Sequence, residues 1–438
     1  MSTSVDQIDD ILVDKPHQVI CKLTELRQKL VSAAFDSNKE ELAQLKEIIS
    51  EVRYKQDNAV AKFTEKFDGV KLTPEQFRIT ADELEKAHTQ IDKNLLGSIR
   101  QAITNVRKYQ EEIFIGNIKY PGIKYTPIKR VGICVPGASA PLPSTVIMTA
   151  VPAIVAGVKP KDIVVVSPPR YKNSIHPVTL AVCYELGITE VYRIGGAQAV
   201  AALAFGTPHI NNVDKIVGPG GKWVQMAKKE VLGFVGIDSI AGPSEVVIIA
   251  NDQANPAWIA ADMLSQIEHA PGSGIVLTDS PDIANRIIAE LKRQLTKLDR
   301  AEQTIRYLLD FGAIIVLKNI DDAIKWANIF APEHLEIQCG DKSKNIADKI
   351  ENAGAIFIGE YSPVAVGDYW AGPSHSLPTG ATARFFSALS ANDFIKSTSI
   401  IEYSEKQLQK SAPDIIRLAE AEGLDAHAKS VKIRLKKP

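Results

Sequence analysis

The sequence predicts an α/β chain organised around two parallel sheets, with a helical segment in front and a short helical tail behind. Three observations predict it. The 438 residues exceed what one core supports at roughly 100 to 200 residues per domain. Short Val- and Ile-rich runs alternate with helix-length segments in two successive series, the pattern of right-handed parallel units. Glycine-rich turns close several of the runs, as strand-to-helix connections require.

Residues 1 to about 35 carry helical signals but little core-grade apolar content before Ile20–Leu30, which predicts an arm that packs on something else, a partner subunit being one candidate. From Glu40 to Gln110 apolar positions such as Leu42, Leu45, Ile48, Ile49 and Val52 recur at helical steps and predict a helical layer. Val131–Val135 begins the first series as a buried strand, followed by the turn Pro136-Gly137-Ala138 and a helix over Ser144–Ala156. Strands at Ile163–Val166 and Val191–Ile194 follow, with helices over Val178–Leu186 and Ala197–Phe205 and, after Gly218-Pro219-Gly220-Gly221, one to about Val231. The second series has strands at Val246–Ala250, Ile275–Thr278, Ala313–Leu317, Leu335–Gln338 and Ala355–Ile358. Beyond Leu389 the chain reads as helical again, ending in Ala412–Ala428 with too little core to stand alone.

The formal net charge of -1 supplies no field for nucleic acid, and no basic stripe interleaved with aromatics overrides it. The most apolar stretch, Val146–Val158, is too short for a bilayer and is interrupted by Pro152. Cys21, Cys134, Cys183 and Cys339 stand singly, without zinc-knuckle or disulfide spacing. Met1–Asp14 lacks the basic flank and apolar run of a signal peptide, so the expected location is the cytoplasm.

Four of the eight histidines keep unusual company. Gln266 and His269, three apart at the end of a predicted helix, project from one face, where two donors can share a cation. Alone they read as a surface polar pair, because Gln is an uncommon zinc ligand. Glu333-His334, between a helix and a strand, offers two bases tunable toward neutrality, and reads equally as a helix-end His bonding backbone carbonyls. Gly367-Asp368-Tyr369-Trp370-Ala371-Gly372-Pro373-Ser374-His375 is a turn-rich loop holding an acid and a His. Glu422 and His427, five apart, read alone as a solvated terminus. Together the groups supply N and O ligands for Zn²⁺ with Glu333 and His334 left for acid–base work, a set that serves a zinc hydrolase as well as a dehydrogenase. The dinucleotide fingerprint G-x-G-x-x-G is absent; Pro136-Gly137-Ala138-Ser139-Ala140 and Gly195-Gly196-Ala197-Gln198 only approximate it.

The run Ile237-Asp238-Ser239-Ile240-Ala241-Gly242-Pro243-Ser244-Glu245, continuing to Gln266-Ile267-Glu268-His269, resembles the signature of the histidinol dehydrogenase family. Ala331-Pro332-Glu333-His334-Leu335, Gly367-Asp368-Tyr369, His375-Ser376-Leu377-Pro378-Thr379 and Ala419–His427 extend the resemblance over nearly the whole chain. It implies two Rossmann-like domains in an intertwined homodimer: an arm over 1–30, a first domain over 31–130 with 245–388, a second over 131–244, and a tail over 389–438 that reaches the partner. It implies Zn²⁺ on Gln266, His269, Asp368 and His427, the last in trans, with Glu333 and His334 as the catalytic pair. Ser244, His375 and Glu422 would touch substrate beside the four ligands and His334, and Gln198 would touch NAD⁺. The activity implied is oxidation of L-histidinol through the aldehyde to L-histidine with two NAD⁺. A related dehydrogenase of a sulfonated diol is the alternative within the same fold.

Three positions depart from the family's pattern. Cys134 stands where a Tyr is common, Gly221 where an Asn is common, and Ser374 where Asn often precedes the substrate-contacting His. Loss of a stacking ring and a side-chain amide implies a dinucleotide held more weakly or differently.

Overall fold

The computed structural model describes residues 5–137, 141–269 and 272–435. Two compact units emerge: residues 1–115 with 127–395, and residues 116–126 with 396–438. Strands are numbered along the chain: β1 (Leu12–Val13), β2 (Ile123–Pro127), β3 (Val131–Cys134), β4 (Ile163–Val166), β5 (Glu190–Tyr192), β6 (Lys215–Val217), β7 (Gly236–Ile237), β8 (Ser244–Ala250), β9 (Gly272–Thr278), β10 (Ala313–Val316), β11 (His334–Gln338), β12 (Ala355–Ile358) and β13 (Ile395–Ser399).

The first unit holds two parallel sheets, as the alternating runs predicted. One has the order β5-β4-β3-β6-β7, the other β1-β10-β9-β8-β11-β12. Helices cover both faces, which is why strands such as Ile163–Val166 are apolar at every position and buried throughout. In each sheet the chain steps outward from a central strand, β3 or β8, and then resumes on that strand's other side with β6 or β11. Winding therefore reverses between β3 and β6 and between β8 and β11, the places where open α/β sheets form crevices.

Packing corrects the predicted helical layer and arm. Leu45, Ile48, Val52 and Phe63 join Val164, Val166 and Ile194 in one core cluster, and Ile99, Ala102 and Val106 join Val131 and Val146 in another. The helices over residues 39–113 thus cover the five-stranded sheet, not the six-stranded sheet to which they were assigned. The front segment is no separate arm: Ile8 and Ile11 are buried with Ile248 and Ile287, and β1 extends the sheet beside β10. Leu23, Leu26 and Leu30 pack on its other face against Val247 and Leu277. Truncating any one of these leucines to Ala would cost about 2–5 kcal/mol.

Other differences are local. β6 and β7 are too short to show as apolar runs, and β8 and β9 begin earlier than predicted, at Ser244 and Gly272. Asp368 sits on the short helix Val364–Tyr369 instead of in an open loop.

The second unit pairs β2 with β13 and packs the helix Glu405–Ala421 on the helix Asp425–Arg434, where one continuous helix was predicted. Gly423, at φ 72°, breaks them because an L side chain rarely adopts that conformation. The buried side chains of these helices are alanines, Ala412, Ala419 and Ala428, while Ile401, Leu418 and Ile433 are exposed. Such a unit has little core of its own, as its sequence suggested.

Candidate active site

The parallel register sets His334 beside Val246, so the amino ends of β8 and β11 lie together at the winding reversal of the six-stranded sheet. Ser244 and Glu245 open β8, and Glu333 immediately precedes β11. The two strands exchange bonds through their acids. Glu333 Oε2 accepts from the Glu245 backbone N–H at 2.9 Å and lies 2.8 Å from Ser244 Oγ, while Glu245 Oε1 accepts from the Glu333 N–H at 3.3 Å and from the Gly380 N–H at 3.0 Å. Close backbone approach is built in, since a Cβ on Gly354 would lie 2.6 Å from the Glu333 carbonyl oxygen. Buried Ala331, at φ 47°, turns the chain out of the preceding helix and into this position, a left-handed conformation that a non-glycine residue tolerates only under constraint.

His334 is buried, with Nδ1 3.1 Å from the Glu245 carbonyl oxygen. A carbonyl only accepts, so Nδ1 carries a proton and Nε2 is the reactive nitrogen. Among the described residues Nε2 has no hydrogen-bond partner, although Asp368 Oδ1 stands 3.7 Å away. Burial opposes charge on the ring, but Glu333 and Asp368 outweigh it and push His334 up to about 9. Burial raises Glu333, partly offset by His334 and by its hydrogen bonds. Glu245 is pushed up to about 8 by burial and by Glu333. Asp368 is held low despite burial, because the nearby His334 imidazole favours its charged form and His375 and His269 add their fields. Burial lowers His375, with Asp368 opposing.

The predicted residues of the first unit therefore assemble in part. Gln266 is buried with Oε1 2.9 Å from Ser244 Oγ, linking it through that hydroxyl to Glu333. His269, exposed just beyond the end of the helix Pro256–Ile267, and half-buried His375 both act electrostatically on Asp368. Glu422 and His427 belong to the second unit, where both are exposed. Among the described residues no three His, Cys, Asp or Glu side chains gather as a metal-holding group. The donors implied here differ in kind: an amide oxygen, an imidazole and a carboxylate in one unit, with an imidazole in the other. Nitrogen and oxygen donors suit Zn²⁺, and Asp368 is already ionised to receive it.

A second site lies at the opposite kind of strand end. A cavity of about 370 Å³ opens beyond the carboxyl ends of β3 and β6, lined among others by Cys134, Gly196, Gln198, Gly221 and Trp223. Gln198 is buried, and among the described residues neither its amide oxygen nor its amide nitrogen has a partner. Leaving such groups unpaired costs about 1–3 kcal/mol, so an amide facing a cavity calls for a ligand with both a donor and an acceptor. The loop Gly218–Gly221 is fixed from below: the Gly218 N–H donates to Asp238 at 2.7 Å, and buried Lys228 pairs with the same carboxylate. Cys134 forms part of the floor as a neutral thiol, burial pushing it up to about 12. A side chain at Gly221 would enter open space, and Trp223 stands nearby on the cavity wall. The approximate fingerprint at Ala138-Ser139-Ala140 lies outside the described residues. Ser374 is spent on structure, its Oγ donating to the Met148 carbonyl at 2.8 Å.

Sequence reasoning missed Glu245, Asp262, Glu336 and Gln338. The last two alternate with His334 along β11, and polar residues at every second position of a strand whose other positions are apolar are the signal that would have found them.

The family model for histidinol dehydrogenase matches residues 32–435. The chain is 46% identical over 394 residues to the histidinol dehydrogenase of Rhodopirellula baltica, covering 88% of this chain and 85% of that one. It is 45% identical to the enzyme of a Synechococcus species, covering 90% and 92%. The crystal structure of histidinol dehydrogenase from Elizabethkingia anophelis superposes with a TM-score of 0.87 at 35% identity, over 97% of both chains. Two sheets wound alike, an acid–imidazole couple at one strand end and agreement along almost the whole length leave a single conclusion: this chain belongs to the histidinol dehydrogenase family.

Proposed function

We propose that the chain oxidises L-histidinol through L-histidinaldehyde to L-histidine, reducing two NAD⁺. The observation that carries this reading is the buried Glu333-His334 couple, its Nε2 unpartnered, beside Ser244, Gln266 and Asp368 in a chain of this family. Gln266, His269 and Asp368, with His427 from a second copy of the chain, would hold Zn²⁺. The ion, when bound, supplies a Lewis-acidic anchor for the substrate's imidazole and amino nitrogens. NAD⁺, placed in the cavity with Gln198, supplies the hydride acceptor.

The chain's own groups do the proton work. His334 Nε2 takes the hydroxyl proton as the carbinol carbon gives up hydride, each such transfer giving roughly 10² to 10⁴ in rate. Asp368, if engaged as a ligand, would raise His334 less, so that the imidazole would give up its charge more readily and serve as a base. Glu333 Oε2, held by the Glu245 N–H, then accepts a proton from the water that adds to the aldehyde carbon. His334, having passed its first proton to solvent, deprotonates the resulting hydrate as the second hydride leaves. Ser244, His375 and Glu422 orient the substrate, and burial of the couple excludes bulk water from the aldehyde.

Homodimerisation is supported by the second unit, whose exposed Ile401, Leu418 and Ile433 leave apolar surface that a second copy of the chain would cover. The reading is tested by incubating the purified full-length chain with zinc, NAD⁺ and L-histidinol. Two NADH per histidine formed are expected, and histidinol turnover without NADH would overturn it.

A further inference from the structure

A second polar cluster lies one layer beneath the site. Buried Glu336 uses both carboxyl oxygens: Oε1 accepts the Val364 N–H at 3.1 Å, and Oε2 accepts from Gln338 Nε2 at 3.1 Å. The same Gln338 nitrogen donates to Asp262 Oδ2 at 3.0 Å, so one amide bridges the two carboxyl groups. Among the described residues neither acid has a salt-bridge partner, which is costly for two carboxylates so placed unless a proton lies between them. Both groups are accordingly raised above the ordinary carboxylate range, burial being the largest cause for each.

The three elements tied together are those that carry the site. On β11, His334, Glu336 and Gln338 occupy one face. On the helix Pro256–Ile267 and its end, Asp262, Gln266 and His269 follow at steps of four and three, again one face. On the helix Val364–Tyr369, Asp368 lies one turn beyond Val364, whose N–H Glu336 accepts. Four helical residues rise about 6 Å and two strand residues about 7 Å. The cluster therefore repeats, one step down, the lateral arrangement of Gln266, Asp368 and His334 above it.

We propose that Glu336, bridged to Asp262 and Gln338, is the positioning residue that holds the helices bearing Gln266, His269 and Asp368 in register with Glu333 and His334. It touches neither substrate nor metal, and acts by fixing the distance between ligands and base. The inference rests on the zinc and catalytic assignments proposed above.

The test compares Glu336→Leu, Glu336→Gln and Asp262→Ala in the full-length chain, reading zinc affinity by chelator competition, kcat, and KM for NAD⁺. Glu336→Leu is expected to weaken zinc binding about 10- to 100-fold, the range for groups that orient metal ligands, and to lower kcat with KM for NAD⁺ unchanged. Glu336→Gln restores both to within about threefold, since its amide oxygen still accepts the Val364 N–H and its NH₂ bonds an ionised Asp262. A melting temperature lowered in Glu336→Leu with parental zinc affinity and kcat would overturn the proposal, leaving only a structural role. If Glu336→Leu fails to fold, Asp262→Ala at its half-exposed position decides: several-fold weaker zinc supports positioning, and parental affinity refutes it. His269→Ala separates the two readings. Unchanged zinc affinity there would remove the ligand assignment, and the kcat ratio of Glu336→Leu to Glu336→Gln would then decide positioning alone.

Discussion

The two sheets of the first unit share a winding pattern but use opposite ends of their strands. In the five-stranded sheet the cavity lies beyond the carboxyl ends of β3 and β6, edged by glycine turns and a buried, unpaired amide. In the six-stranded sheet the acids and imidazole cluster at the amino ends of β8 and β11. The difference has a physical basis. Carboxyl ends followed by glycine turns open the crevice where α/β folds bind nucleotides. Amino ends present free backbone N–H groups, which here hold Glu333 and Glu245 beside the His334 imidazole. One architecture thus supports a glycine-edged binding cavity and an acid–imidazole cluster.

The sharpest way to break this division is to remove the base. His334→Ala is expected to lower kcat by roughly 10² to 10⁴ while leaving NAD⁺ affinity unchanged, measured by steady-state kinetics and cofactor titration. A large loss of NAD⁺ affinity would show that the two ends are not separate in function. Glu333→Gln should impair oxidation of added histidinaldehyde more than oxidation of histidinol, and equal losses would remove its role with water. Mixing His269→Ala and His427→Ala chains should restore activity through dimers with one intact site, whereas no recovery would place His427 outside the shared site.

Gln198→Leu sharpens the contrast from the other end. An apolar side chain relieves two unpaired buried atoms, so thermal stability without cofactor should hold or rise while NAD⁺ affinity falls about tenfold, equivalent to ~1.4 kcal/mol. Both quantities falling together would mean that the amide serves the fold. The smallest effect concerns Glu245, raised by burial from 4.5 to about 8. A carboxyl raised on folding contributes stability that is complete below the unfolded value and lost as pH rises through the folded one. Glu245→Gln should therefore gain in melting temperature relative to the parent between about pH 5 and pH 9, and a constant difference would deny the shift.

Much of this organisation was legible because periodicity survives in single sequences. The IVVV strand Ile163–Val166, the alternation of both series and the helices between them were readable, as were the motifs holding Ser244, Gln266 and Glu333-His334. Assignment of the helices over residues 39–113 to a sheet was not, because Leu45 and Ile48 declare a buried face without naming what covers it. Ile8 and Ile11 misled for a related reason: two isolated apolar residues look like an arm until a sheet edge is present to receive them. Glu245 was invisible as a functional group because an acid in an apolar run gives no sign of whether another acid faces it, whereas Glu336 left a trace in the alternation along β11. The motif match supplied roles that spacing alone left open, Gln266 being the clearest case.

The central claim is that metal and substrate sit at the amino ends of β8 and β11, beside the Glu333-His334 couple. A zinc-edge anomalous difference map from crystals grown with zinc and L-histidinol tests it most directly. The account predicts one strong peak per chain in contact with Gln266 Oε1, His269 and Asp368, with the substrate's hydroxyl facing His334 Nε2. A peak located elsewhere, or substrate bound away from His334, would contradict it.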